Sequence, residues 1–402
     1  MRKTLIAAAI CSSTLLPFAA FADTDSDIAE LKRIVAEQQK RIENLERQIA
    51  TQNPPAAASA TVANTPANAT PAASQTAADQ QSTSVGGYGE IVFNDLDSQK
   101  TTDVERFVVF FGHQFDAHTR FGSELEIAHQ FVENADGTAE GGEVEAEQVW
   151  VEHDWTDWLK TKAGYFLMPV GIINEHHEPP TFYGVDRNPV ETFILPSTWS
   201  DKGFLTTASF ANGLSVDFAF TGGLHVENED AGSEFLPEHA TPEGVGAANS
   251  PAYTGRVLYR GIPGLELGVS GLYQVDGGQG TIANVGHAEF FEAHGIYQFG
   301  DAELRALYAR FMLTGDAPKA LNRDKQDGGY VEASYRVLQP LGVFARYNVW
   351  DNGGLAAKTA VHQTNVGLNY WLVPDVVLKA DLQWQSGATD FDGLNLGLGY
   401  QF

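Results

Sequence analysis

The stretch FDGLNLGLGYQF, residues 391–402, decides the fold. From Leu394 every second residue is apolar: Leu394, Leu396, Leu398, Tyr400 and Phe402. Between them stand Asn395, Gly397, Gly399 and Gln401. Side chains alternate across a strand, so one face is greasy and the other small or polar. A transmembrane β-strand has this character, with lipid on one side and a wet lumen on the other. The pattern recurs upstream. Leu265, Leu267, Val269 and Tyr273 oppose Glu266, Gly268, Ser270 and Gln274, and Val376, Leu378, Ala380, Leu382 and Trp384 oppose Lys379, Asp381, Gln383 and Gln385. A soluble β-sandwich also alternates, but it does not need polar residues on the enclosed face of strand after strand.

Working outward, alternation and turn signals mark sixteen strands from residue 86 to the end. They begin near Gly87, Glu105, His118, Glu143, Leu159, Gly203, Leu214, Ala252, Leu265, Gly286, Ala302, Gly328, Leu341, Val361, Asp375 and Asp392. Short connections near Ala117, Thr156, Asn212, Pro263, Asp301, Pro340 and Pro374 alternate with long ones near Asp97, Ala135, Pro180, Glu234, Gly278, Ala317, Gly354 and Thr389. An even strand number with short turns at one end and long loops at the other predicts an all-β fold, a 16-stranded antiparallel transmembrane β-barrel over residues 86–402. Trp155, Trp158, Tyr347, Trp350, Tyr370, Trp371, Tyr400 and Phe402 sit near strand ends, where interfacial aromatics belong. The segment from Arg106 to Gln114 is apolar on both faces, and parity alone does not orient it.

The N-terminal part reads differently. Residues 1–22 have the form of a cleaved secretory signal peptide: Arg2 and Lys3, an apolar stretch, then Ala20-Phe21-Ala22 before Asp23. Cys11, the single cysteine, lies within it, so the mature chain is expected to hold no disulfide. Apart from that stretch, no apolar run approaches the roughly 18 residues of a spanning helix. In residues 23–50, Ile28, Leu31, Val35, Gln38, Ile42, Leu45 and Ile49 make an a/d seam of about three heptads. A lone helix of this length is marginal in water, so the coiled coil needs partner chains or a peptidoglycan contact. Residues 51–85 are rich in Ala, Pro, Thr, Ser, Asn and Gln and read as a disordered linker, long enough to hold the helix off the barrel in the periplasm.

The third long connection, Gly171 to Asp201, carries Glu175, His176, His177, Glu178, Asp186, Arg187 and Glu191 among Pro179, Pro180, Phe182 and Tyr183. A proline-stiffened, aromatic-pinned loop holds charges at a fixed place, so it is the candidate constriction. Strand parity turns Arg120, Glu124, Glu126, Glu143, Glu145, Glu147, Lys160 and Lys162 towards the lumen. A lipid-facing Arg or Lys at mid-depth costs about 2–4 kcal/mol, so Arg336, Arg346 and Lys379 should also line the interior, with Asp381.

The segment AGYFLMPVGIINEHHEPPTFYGVDRNPVET, residues 163–192, together with EVEAEQ, residues 143–148, resembles the outer-membrane porins grouped with the phosphate-selective porins O and P. The resemblance covers the barrel and is most specific in this loop. It implies a sixteen-stranded, trimeric diffusion channel and does not settle the solute. The barrel itself is expected in the bacterial outer membrane, in contact with lipid and lipopolysaccharide. The coiled-coil seam, with β-branched a positions and Leu at d, leans instead towards two strands, although polar Gln38 weakens it. Phosphate selectivity in that family is associated with a lysine and arginine ladder, which does not map residue by residue onto this chain.

Charge bears on selectivity. The chain carries a formal −27, and residues 86–402 hold 44 Asp and Glu against 18 Lys and Arg. A negative mouth gathers cations, but over a reach of only about 8 Å at physiological salt, so charges at the constriction select. The expectation is a porin for small hydrophilic solutes or ions with weak cation preference. An anion or phosphate channel, a transporter for one nutrient, and an outer-membrane anchor or adhesin are the alternatives. The acidic balance argues against nucleic acid. His176 and His177 with Glu175 and Glu178 offer metal-ligand types, yet adjacent residues diverge, so neither a metal nor another cofactor is expected. Ser197, His176 and Asp186 lack any spacing that asks for catalysis, and no enzyme activity is expected.

Overall fold

The computed structural model describes residues 82–97, 99–129, 132–133, 139–140, 142–226 and 248–402, together with Lys40. The expected signal peptide, coiled coil and most of the linker lie outside the described residues, as do the acids of the fourth long connection from Glu227 to Glu243.

Sixteen strands form the barrel. They are β1 (Ser82–Leu96), β2 (Gln99–Gln114), β3 (Thr119–Ala128), β4 (Glu143–Thr156), β5 (Leu159–Leu167), β6 (Ser200–Ser209), β7 (Leu214–Thr221) and β8 (Ala252–Ile262). The second half comprises β9 (Leu265–Gln274), β10 (Ala288–Phe299), β11 (Ala302–Leu313), β12 (Lys325–Leu338), β13 (Leu341–Asp351), β14 (Ala360–Val373), β15 (Val376–Gly387) and β16 (Gly393–Gln401). Each pairs antiparallel with its sequence neighbour, and β16 closes on β1. The seam runs from Leu96↔Gly393 to Tyr88↔Gln401. It ends in two bonds exchanged between Gly87 and Phe402, at 2.9 and 3.1 Å. Closure leaves no unpaired edge, which in lipid would cost several kcal/mol per group.

The alternation read from residues 391–402 is the alternation observed. Asn395 is 1% exposed and faces inward, while Leu396 is 40% exposed and faces outward. In β2, which sequence parity left unassigned, Arg106 and Val108 turn inward with Phe110, whose ring lies 5.7 Å from that of Tyr88. Phe107 and Phe111 face out. The reason for the double apolar character is that the inner face here packs against other side chains rather than water.

Four expectations are corrected. β1 begins at Ser82, inside the expected linker, because Ser82, Thr83 and Ser84 pair with Gln114, His113 and Gly112 of a long β2. The first long loop, expected near Asp97, is a tight turn: β1 and β2 stay paired to Leu96↔Gln99, and Lys100 binds Asp95 at 2.6 Å. Trp350 and Trp371, expected in the outer girdle, share the parity of inward Asn348 and Asn369. Trp350 stacks on Phe193 at 5.6 Å, and Trp371 Nε1 donates to Pro180 O. Trp155, Trp158, Tyr347, Tyr370 and Phe402 are exposed outward as expected.

The barrel also contains a dry core. Phe166, Met168, Val170, Ile172, Val190, Ile194, Leu195 and Trp199 pack against inward side chains of β6 to β14, including Leu272, Phe290, Phe311 and Tyr330. The segment that supplies most of the first group is the connection between β5 and β6.

Candidate pore constriction

Residues 168–199 enter the barrel from β5, cross it and return to β6. Gly171 starts the turn at φ +69°, a left-handed conformation open to glycine, with Leu195 and Glu191 close against it. The tip reaches the opposite wall. There Trp371 and Asn369 of β14 donate to Pro180 O and Phe182 O, and Arg346 of β13 donates to Tyr183 O. Val185 N donates to Asp381 of β15 at 2.8 Å. Arg187 then reaches Tyr88 of β1 at 3.4 Å, and Asn352 ties Phe193 O to the β13 end. Gly397 and Gly399 supply the seat on β16: a Cβ at Gly397 would stand 3.0 Å from Val185, and one at Gly399 would collide with Pro179. The small residues in the closing strand are therefore room for the loop.

The charged residues expected on this loop divide. Glu175 binds Arg256, which also holds Asp217 at 2.7 Å. Burial opposes its ionisation, but the guanidinium outweighs this and holds the carboxyl below its usual value. His176 is exposed, whereas His177 is buried beside Tyr88 and Glu124; the two neighbours diverge as expected. Glu178 and Asp186 are partly exposed. Burial within the narrowed barrel, then the carboxylates of Glu105, Asp381 and Glu90, push Asp186 up to about 8. Arg187 is buried and donates to Ser197 Oγ. Glu191, expected as a pore charge, is fully buried and structural: it accepts from Ile172 N, Ile173 N and Tyr330 Oη. Burial raises its carboxyl above the ordinary range despite those donors.

The expected wall residues divide too. Glu124, Glu126 and Glu147 face inward and are buried. Glu143 and Glu145 are exposed at the long-loop end of β4, above the constriction. Between Glu124 and Leu125 the register slips against β4. This bulge carries the inward parity from Glu147 to Glu152 and Asp154, which bind Arg120 and Lys160 near the short turns. Lys162 lies over Trp150, 4.3 Å from the ring centre. Arg336 lies over Trp371 at 3.6 Å. Arg346, Lys379 and Asp381, expected as open lining, are buried where the loop seats. Arg346 pairs with Glu332 at 3.2 Å, and the Lys379 ammonium sits 3.4 Å over the Phe182 ring.

Sequence reasoning missed Glu90, Glu105 and Arg106. Arg106 lies 3.0 Å from Glu90, 2.9 Å from Glu105 and 3.7 Å from Glu126. The signal was available as Glu90 two residues beyond Tyr88 on the same face, but the bulge between Glu90 and Val92 hides which of the β2 residues opposes it.

Sixteen strands thus close around an inturned connection between β5 and β6. Residues 56–390 match the Gram-negative porin family. The chain belongs to this family. The porin is 30% identical to an uncharacterized protein of Aquifex aeolicus (strain VF5), over 77% of each chain. Among solved structures it is similar to the trimer form of OmpT of Vibrio cholerae, at 13% identity and TM-score 0.55, covering 81% of this chain and all of that one. It is similar to an anion-selective porin from Comamonas acidovorans at 14% and 0.55, over 80% of this chain and all of the other. The outer-membrane channel DcaP of Acinetobacter baumannii gives 11% and 0.54, over 80% of the porin and 97% of DcaP. At these identities the likeness to solved structures is one of fold. Within it, the porin places most of its lumenal arginines against carboxylates.

Proposed function

We propose that this porin is a passive diffusion channel for small hydrophilic solutes and ions, with a weak preference for cations. The observation that carries the reading is the loop tied across a polar-walled, closed barrel. The electrostatics support the preference. Arg106, Arg120, Arg256, Arg305 and Arg346 are each held by carboxylates, while Glu178 stays partly exposed on the loop. Paired guanidiniums attract anions weakly, and acids near the passage favour cations. Ser197, the one hydroxyl considered for catalysis, accepts from Arg187, which supports a channel without enzyme activity. The trimer form of the Vibrio cholerae OmpT structure supports a homotrimer here, embedded among outer-membrane lipid and lipopolysaccharide. The N-terminal seam suits a periplasmic helix with chain or peptidoglycan partners. Planar bilayers provide the test: purified protein should give ohmic steps in threes, with a cation-directed reversal potential in a salt gradient. A silent bilayer would favour the anchor reading, and an anion-directed potential would defeat the charge argument.

A further inference from the structure

We propose a divalent transition-metal site, built from His177, Glu124 and Glu147, that staples the inturned loop to the β3–β4 wall. One ligand atom from each of the three lies within 4.8 Å of the others, and all three side chains are at most 5% exposed. His177 Nδ1 lies 2.9 Å from Asn174 O. A carbonyl only accepts, so Nδ1 carries the hydrogen and neutral His177 presents a lone pair at Nε2. That Nε2 has no hydrogen-bond partner and points at Glu124 Oε1, 3.6 Å away. A ring held through its other nitrogen by a carbonyl is the arrangement that orients metal-binding histidines.

The carboxylates make the same demand. Neither Glu147 oxygen receives a nitrogen or hydroxyl donor; its one partner is the Glu126 carboxyl, with which it hydrogen-bonds only when one of the two carries a proton. Glu124 takes one bond from Gln148 through Oε2, which leaves Oε1 for the shared space. The surroundings are rich in carboxyl groups: Glu90, Glu105 and Glu126 lie on Arg106, and Glu124, Glu126 and Glu147 lie together with Arg187 beside them. A divalent cation supplies positive charge where carboxyl groups crowd, and one imidazole with two carboxylates is a donor set that zinc accepts at about 2.0–2.2 Å per bond. A closure of the three groups by a fraction of an ångström per ligand forms it.

The test uses the full chain folded in detergent and dialysed against Zn2+ with excess Mg2+, which occupies exposed carboxylates. One tightly held zinc per chain is expected. His177→Gln and Glu147→Gln should each weaken it about tenfold or more, and His176→Gln should leave it unchanged. Folding of each variant is checked by its heat-dependent shift on a gel. Co2+ bound to the unaltered chain should show the intense visible absorption of a low-coordinate site, a readout independent of any variant. Zinc binding that ignores both substitutions, or cobalt showing only the weak spectrum of the hydrated ion, overturns the proposal.

Discussion

Pro179 of the inturned loop rests against Gly399 of the closing strand, and no Cβ fits between the two. One residue of the membrane wall thus sets where the loop tip lies. Gly399 needs no left-handed backbone, so Gly399→Val should still pair within β16. The added side chain must instead displace the tip, at a cost of about 1–3 kcal/mol for overpacking. The expected outcome is a barrel that assembles, melts earlier in a heat-shift assay, and conducts with altered unit size. Unchanged conductance would show that the tip does not bound the passage.

Phe402 contributes through both its backbone and its ring. Its amide and carbonyl exchange bonds with Gly87, each worth about 0.5–1.5 kcal/mol net. Deletion removes both bonds and the outward ring. Phe402→Ala removes only the ring. Deletion should therefore lower the assembled fraction more than Phe402→Ala, measured on heat-shift gels of outer-membrane fractions. Equal losses would assign the whole effect to the aromatic ring.

Asp186 should give the channel a pH dependence. Burial and the neighbouring carboxylates push its carboxyl up to about 8 in the folded state, so it is mostly neutral at pH 7 and mostly charged at pH 9. Cation preference, read as reversal potential, should rise across that interval, and Asp186→Asn should flatten the rise. The folded value stands above the ordinary 3.8, so the folded chain binds the extra proton between about pH 4 and 8. Stability from this group therefore falls as pH rises through that window.

Arg256 joins the loop to the wall through Glu175 and Asp217. Arg256→Ala leaves Asp217 buried and unpaired, and Glu175 a third exposed. The loss should fall below the roughly 3–5 kcal/mol of breaking a wholly buried pair, because water reaches Glu175. A double-mutant cycle with Glu175→Gln, followed by heat-shift midpoint, measures the coupling. Additive effects would show that this pair does not fix the loop.

The strand count, the facing of β9, β12, β15 and β16, and the inturned loop were legible because period-two alternation and turn residues are local signals. Starts at Glu143, Leu159, Leu214, Ala252, Leu265, Ala302 and Leu341 coincide with the expected ones, since most follow a tight turn. The roles of individual charges were not legible. Parity says that Arg346, Lys379 and Asp381 point inward, but whether water or the loop meets them depends on depth within the barrel. Glu191 looked like any loop acid; only the fold brings Tyr330, 139 positions away, to its carboxylate. Bulges at Glu90/Val92 and Glu124/Leu125 shift parity without a composition signal.

The oily mass between the crossing segment and strands β6 to β14 has a mechanical meaning. A door must swing, and swinging this one would expose Trp199, Phe290 and Phe311 to water. The segment therefore behaves as a fixed partition. Among the described residues, the bore beside this partition is thus expected to be set when the polypeptide assembles, leaving side chains rather than backbone as its adjustable parts.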